Sequence, residues 1–369
     1  MGTYQIFFDG TAAEDSLYEK VAGVEVEENV DLPAALQITF AVASDSGGDL
    51  TFVNDARIGP LRNVAIVVSA DEETNHCIFD GVVLSHKLHL DSSVACSTLK
   101  VWGQDASWLM NMEEKAREWV DVTDADVAST IFGEYGISPA DGNSEDDSPS
   151  HTEDKHTLMQ RATDIQFLRM LARRNGKLCR VACDDTPGDR TGYFAKPDLD
   201  ADPAVTLTVI DPTAPTACEL DFEWDVSRPS AVKARQALFD DAAEDGVSAD
   251  TSDSGLTALD ERGLGDFAAQ PMTVLLTTPV DDAGELTLRA QSVLRESGWF
   301  VRCEGEVDAG RINKVLRAGS VVLVNGAGAL NSGKYFAWSV RHSLTTGSHM
   351  MKFTLVRNAV GPEPAGGAR

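Results

Sequence analysis

Cations are scarce in this 369-residue chain, where 31 Lys and Arg stand against 59 Asp and Glu for a formal charge of −28. Sequence-independent nucleic-acid binding depends on neutralising phosphates, so that class is excluded and phosphate should be repelled. Long apolar runs are missing too. None approaches the ~20 residues that a membrane-spanning helix requires, so no membrane insertion by the chain itself is expected. The six cysteines (Cys77, Cys96, Cys179, Cys183, Cys218, Cys303) include no CxxC pair and no dense framework, which predicts free thiols and cytoplasmic synthesis rather than a disulfide scaffold. In "CRVAC" an alternating strand puts Cys179 and Cys183 on one face, but no further zinc ligands accompany them. The start, "MGTYQIFFDG", has no basic region followed by a long apolar segment, so no targeting signal is expected there.

What is present is β-rich sequence. "YQIFFDG", "LQITFAVA", "NVAIVVSA", "CIFDGVVLSHKLHL" and "CSTLKVWGQ" carry β-branched and aromatic residues between Gly, Asp and Asn breaks, and predict a small barrel or sandwich over the first hundred residues. At "VTDADVASTIFGEYGI" the period changes. Val127, Ile131 and Tyr135 follow helical spacing, Thr123 and Asp126 form a capping box, and Gly136 stops the helix. A second helix runs through "TDIQFLRMLARRNG", with Thr163 and Gln166 as its expected capping box, Ile165, Leu168 and Ala172 on one face, and Gly176 as the left-handed cap. Arg173 and Arg174 then finish a helix whose C-terminus is the negative end of its dipole; they are not expected to hold an anion. Strands return after residue 177, interrupted by a helix that carries Leu286, Ala290, Val293 and Leu294 and ends at Gly298. Two acidic stretches, 138–155 and 241–261, read as mobile exterior loops that carry much of the excess charge.

The search for chemistry returns little. "GALNSGKY" departs from a phosphate loop at Tyr335, which stands where magnesium needs a hydroxyl residue, and "YFAWSVRH" alternates as a strand where a phosphate loop must open a helix. His86 and His89 point to opposite faces of one strand. No GxSxG elbow is present. No catalytic residue, cofactor or metal is therefore expected. The alternative reading is an enzyme, a cell-wall hydrolase that uses paired carboxylates.

"QRATDIQFLRMLARRNGKLCRV" resembles the signature of phage late control protein D and of the hub portion of VgrG-type spike proteins, carried by Gln160, Asp164, Phe167, Leu168, Leu171, Ala172 and Gly176. The C-terminal region is similar to the last barrel of the same family through Leu316, Gly319, Gly333, Tyr335, Val340, His342, Arg357 and Asn358. The resemblance implies a mainly β fold with an α insert: a tube-like β-barrel over 1–110, a helical insert over 111–180 and a second tube-like barrel within 181–369. It also implies a non-enzymatic baseplate hub of a contractile phage tail or injection system, made in the cytoplasm and built into the virion tail or particle. Two similar units per chain would let a homotrimer present six similar surfaces. The expected partners are an inner tube or tube initiator above, a separate spike below and other baseplate proteins.

Overall fold

The structure is a computed structural model that describes residues 3–362 except 45–46, 72–73, 93–95, 145–149, 154–156, 212, 214, 218, 237–245 and 281–282. In chain order, the strands of four or more residues begin with β1 (Thr3–Phe8), β2 (Val21–Asn29), β3 (Ala35–Ala41), β4 (Asn63–Ser69), β5 (His76–His89) and β6 (Thr98–Asp105). The insert then contributes β7 (Glu114–Trp119), helix α1 (Asp124–Glu134), β8 (Leu158–Thr163), helix α2 (Asp164–Arg174), β9 (Leu178–Cys183) and β10 (Arg190–Ala195). Beyond it lie β11 (Val205–Thr208), β12 (Glu219–Trp224), β13 (Ala231–Gln236), β14 (Ser248–Thr251), β15 (Thr273–Thr278), helix α3 (Ala283–Ser297), β16 (Val301–Asp308), β17 (Val321–Asn325), β18 (Gly333–Thr345) and β19 (Ser348–Arg357).

The chain is mainly β, and strands from both ends of the sequence share one sheet in the order β12-β16-β19-β18-β2-β3-β6-β5-β4-β1, with β17 and β11 branching from β18. The join is the antiparallel ladder between β18 and β2, from Ser339 opposite Asn29 to Leu344 opposite Val24. Alternation places the side chains: Val24 and Val26 point into the core while Glu25 and Glu27 do not. One buried cluster accordingly collects Ile6, Phe40 and Val101 together with Val301, Phe353 and Leu355. Among the described residues no closed barrel is formed, and the two β regions meet in a single sheet.

The insert has a core of its own, in which Val127, Ile131 and Phe132 of α1 pack with Ile165, Phe167, Leu168 and Leu171 of α2. This core also takes in Val181 and Phe194, beyond residue 180. A third, smaller core seats α3 through Leu286, Ala290 and Leu294 on Val232 and Ala234 of β13. There β13 runs parallel to β15 and antiparallel to β14. Within this sheet "TVLLTT" is a strand the sequence reading did not mark, because neither its length nor its flanks stand out.

Three expectations are corrected. Cys77 and Cys183 form a disulfide across 106 residues with their Cα atoms 5.6 Å apart, so the thiols are not all free; Cys96, Cys179 and Cys303 are free, and Cys218 lies outside the described residues. The reason is tertiary: β5 and β9 come together only on folding. Secondly, the stretch 138–155 is tied down where it is described. Asn143 is buried and bonds the backbone at Gly192 and Phe194, and Ser150–His151 pairs with Val122–Thr123. Thirdly, the stretch 241–261 contains β14 and, next to its last residue, Asp260, which pairs with Arg357; residues 241–245 lie outside the described residues.

Candidate functional site

The signature residues occupy two separate places, one in the insert and one in the C-terminal part of the main sheet. In the first, Gln160 is fully buried on β8, where its Oε1 accepts from Trp119 Nε1 at 3.2 Å and its Nε2 donates to Asp164 Oδ1 at 2.6 Å. Asp164, the first residue of α2, also accepts from Lys115 Nζ at 2.6 Å and from the Tyr135 hydroxyl at 2.7 Å. Burial pushes its carboxyl up, but the bonds from Lys115, Gln160 and Tyr135 outweigh it and hold the group below its ordinary range. The bond to Asp164 correspondingly raises Lys115. The expected capping box of α2 is absent: Thr163 caps through its backbone position only, and its hydroxyl donates to Asn111 Oδ1 at 2.8 Å. Buried Asp164 has taken over the helix start, where a negative charge faces the positive end of the dipole.

Phe167, Leu168 and Leu171 are buried in the insert core. At the other end of α2, Gly176 has φ +62°, and a Cβ there would stand 2.8 Å from both Ser292 Cα and Arg295 Cδ of α3. This glycine serves the left-handed cap and the close approach of a second helix. Arg173 and Arg174 do more than finish the helix. Arg173 reaches Asp31 at 3.4 Å, and Arg174 reaches Asp124 at 2.6 Å, at the first turn of α1. His151 joins Asp124 at 2.8 Å. Asp124 is fully buried; that burial pushes its carboxyl up, and the bonds from His151, Arg174 and Asn175 bring it below the ordinary range.

In the second place, buried His342 of β18 faces Glu28 of β2 at 3.2 Å through Nε2 and His349 of β19 at 3.0 Å through Nδ1. Arg317 binds Glu28 through Nε at 2.8 and 3.0 Å and through Nη2 at 2.8 Å. Burial alone would raise the Glu28 carboxyl, yet Arg317 and His342 draw it down to about 2. Burial and the neighbouring His342 push His349 down to about 3. The sequence search missed Glu28 and Arg317. The available signal was phase: Val24, Val26, Glu28 and Val30 alternate on the inward side, so Glu28 is a charge in an apolar position.

Arg357, also fully buried, pairs with Asp260, donates to the carbonyls of Leu330 and Ser332 at 3.3 and 3.1 Å, and lies 5.1 Å over the ring of Tyr335. The Tyr335 hydroxyl donates to Asn331 O at 2.7 Å and burial pushes it up to about 12. Asn358 bonds both Thr257 O and Leu259 N at 2.9 Å, so the end of β19 holds the segment 257–260. Gly333, at φ +131°, leaves room for the Arg357 guanidinium, and Gly319, at φ +88°, for that of Arg180. The phosphate-loop lookalike is a short helix, Gly328–Asn331, followed by strand β18. Among the described residues no group of three or more His, Cys, Asp or Glu could hold a metal ion. Both clusters tie most of their polar groups to one another and to backbone carbonyls, while His349 Nδ1 and Arg357 Nε are buried without a hydrogen-bond partner among the described residues. That is the chemistry of positioning.

A family described as Alg8 N-terminal domain matches residues 1–346. No curated protein matches the chain in sequence. Among solved structures, it is similar to the 43 kDa tail protein of prophage MuSo2 from Shewanella oneidensis, with a TM-score of 0.69 at 13% identity over 98% of this chain and 100% of that one. It is also similar to a tail protein from Neisseria meningitidis MC58, with a TM-score of 0.66 at 13% identity over 98% of each chain. The E. coli c3393 protein, a type VI secretion component with structural similarity to the T4 tail proteins gp27 and gp5, gives a TM-score of 0.56 at 16% identity over 98% of this chain and 79% of that one.

Proposed function

The chain belongs to the Alg8 N-terminal domain family and has the fold of phage tail proteins, and on that basis we propose that it is a structural baseplate hub protein of a contractile phage tail or injection system. The observation that carries this reading is end-to-end coverage: the similarity to a tail protein takes in 98% of this chain and all of that one, so the β regions, the helical insert and their order are shared. The two signature clusters support it, because they fix strands and segments rather than present reactive groups.

In this reading the protein is a homotrimer in which the β regions of 1–110 and 181–369 act as two tube-like units per copy, giving six similar surfaces that meet a six-fold inner tube above and a three-fold spike below. The insert, 111–180 with its core continuing to Phe194, lies at the periphery beside other baseplate proteins. The protein acts without catalysis, as part of the virion tail or particle. A mass measurement of the purified chain and a reconstruction of the particle test the proposal. Copy numbers divisible by three are expected, and a hub of two, four or five copies overturns it.

A further inference from the structure

On the outer side of the main sheet, where β16, β18 and β19 meet the C-terminus of α2 and one side of α3, lies a groove of about 610 Å³. Trp299 and Trp338 line its floor edge-on at 6.2 Å, and Trp299 is backed by buried Phe336, on which it stacks with centroids 5.9 Å apart. Its rim is richer in cations than the chain as a whole. Arg173, Lys177, Arg228, Arg295 and Arg302 line it against Glu27, Asp31 and Glu296, with Asp225 and Glu304 paired to Arg228 and Arg302, in a protein with nearly twice as many acids as bases. Arg295 is a fixed member, buried and bonded to the carbonyls of Asn175 and Ser254. Arg173 and Arg302 are exposed, and their partners Asp31 and Glu304 stand at 3.4 and 2.5 Å. Ion pairs in water contribute little, so an arriving carboxylate displaces such partners at small cost. Trp with Arg in a partly desolvated groove is the composition of an interface hot spot.

Resting on the hub reading, we propose that this groove is the acceptor half of a head-to-tail contact between copies of the chain, and that its occupant is the acidic N-terminal turn and short helix Asp15–Tyr18 of the next copy. Residues 9–20, "DGTAAEDSLYEK", carry Asp9, Glu14, Asp15 and Glu19 against one cation, Lys20, and all five are exposed. This segment adjoins β1 at one end of the sheet, whereas the strands of the groove lie toward the other end. A closed ring with a heterologous contact needs two different surfaces on each copy, and these two are complementary in charge. A groove meeting its own copy would form a two-fold pair with cations opposed.

The test is a charge swap in the full chain, read as oligomer mass by native mass spectrometry and sedimentation across a dilution series. Circular dichroism checks that each variant folds, and all the altered side chains are exposed. Arg173→Glu with Arg302→Glu, or Glu14→Lys with Asp15→Lys and Glu19→Lys, should each raise the concentration at which the trimer dissociates by at least tenfold, and the two sets combined should restore it. A wild-type trimer that neither set weakens, or that the combination fails to rescue, overturns the contact and leaves the hub reading standing. A wild-type chain that forms no trimer at any concentration overturns the hub reading, and the contact with it.

Discussion

Glu28 and Arg317, 289 residues apart in the sequence, meet in a forked ion pair at 2.8 and 3.0 Å beneath the ladder that joins the two β regions of the sheet. Arg180 lies close by, and His342 meets the second carboxylate oxygen at 3.2 Å. A buried pair of this kind is costly to break from one side, because the remaining partner is left charged and unsolvated.

Glu28→Gln should therefore destabilise the protein by about 3–5 kcal/mol. The half-exposed neighbour Glu27, paired with Arg341 at 2.5 Å, is the control, and Glu27→Gln should stay within about 0.5 kcal/mol of wild type. Urea unfolding midpoints of the two variants measure the contrast. Equal shifts would show that the buried pair has no special role.

Stability should fall on acidification in two stages. His349 is held down to about 3 from an ordinary 6.5, so between those values the unfolded chain binds the proton that the folded one refuses, and stability is lost as the pH drops below about 6.5. Glu28, held down to about 2 from 4.5, adds a loss in the same direction below about 4.5. Each such proton is worth about 1.4 kcal/mol per pH unit. Unfolding midpoints taken from pH 7.5 to pH 4 should show the decline, and His349→Phe should flatten its upper part. An unchanged slope in that variant would assign the decline to other groups.

The disulfide between Cys77 and Cys183 fastens the edge of the insert to the main sheet. Non-reducing digestion followed by mass spectrometry should recover the two peptides linked. Cys77→Ser should lower stability by up to about 4–5 kcal/mol, the chain-entropy value for a loop of this length. Reduction of the wild type should produce a shift of similar size and none in the variant; a reductant effect on both would point to another bond.

Gly176→Ala places a methyl group against Ser292 and Arg295 and forces a left-handed conformation on alanine. The expected cost is about 1–3 kcal/mol. Ala283–Ser297 should also lose amide-exchange protection, since the contact displaced is the one between α2 and α3. A change confined to α2 would show that only the cap matters.

Much of the architecture was legible. Period-2 runs marked β1, β3 to β6 and β16 to β19 but not β2, whose Gly23 and four glutamate or asparagine positions mask its alternation, and period-3.6 runs marked all three long helices, because burial on one face imposes those spacings wherever an element forms. The capping box of Thr123 and Asp126 is present, with its backbone bonds at 2.9 and 3.1 Å, because it is closed within four residues. The one expected at Thr163 is not: Asn111, 52 residues earlier, takes the hydroxyl. Distant partners of this kind leave no local trace.

The sequence by itself determined the β, insert, β order, the helix faces and the left-handed glycines, since each depends on sterics and burial within a few residues. Only the tertiary structure decided that two β regions share one sheet, that Arg174 holds Asp124 and that Cys77 finds Cys183. It also assembled the aromatic groove with its cationic rim, from residues between 27 and 356. The physical reason is the same for each: these are pairings between segments whose separation in the chain is large, and their energies exist only once the intervening chain has folded.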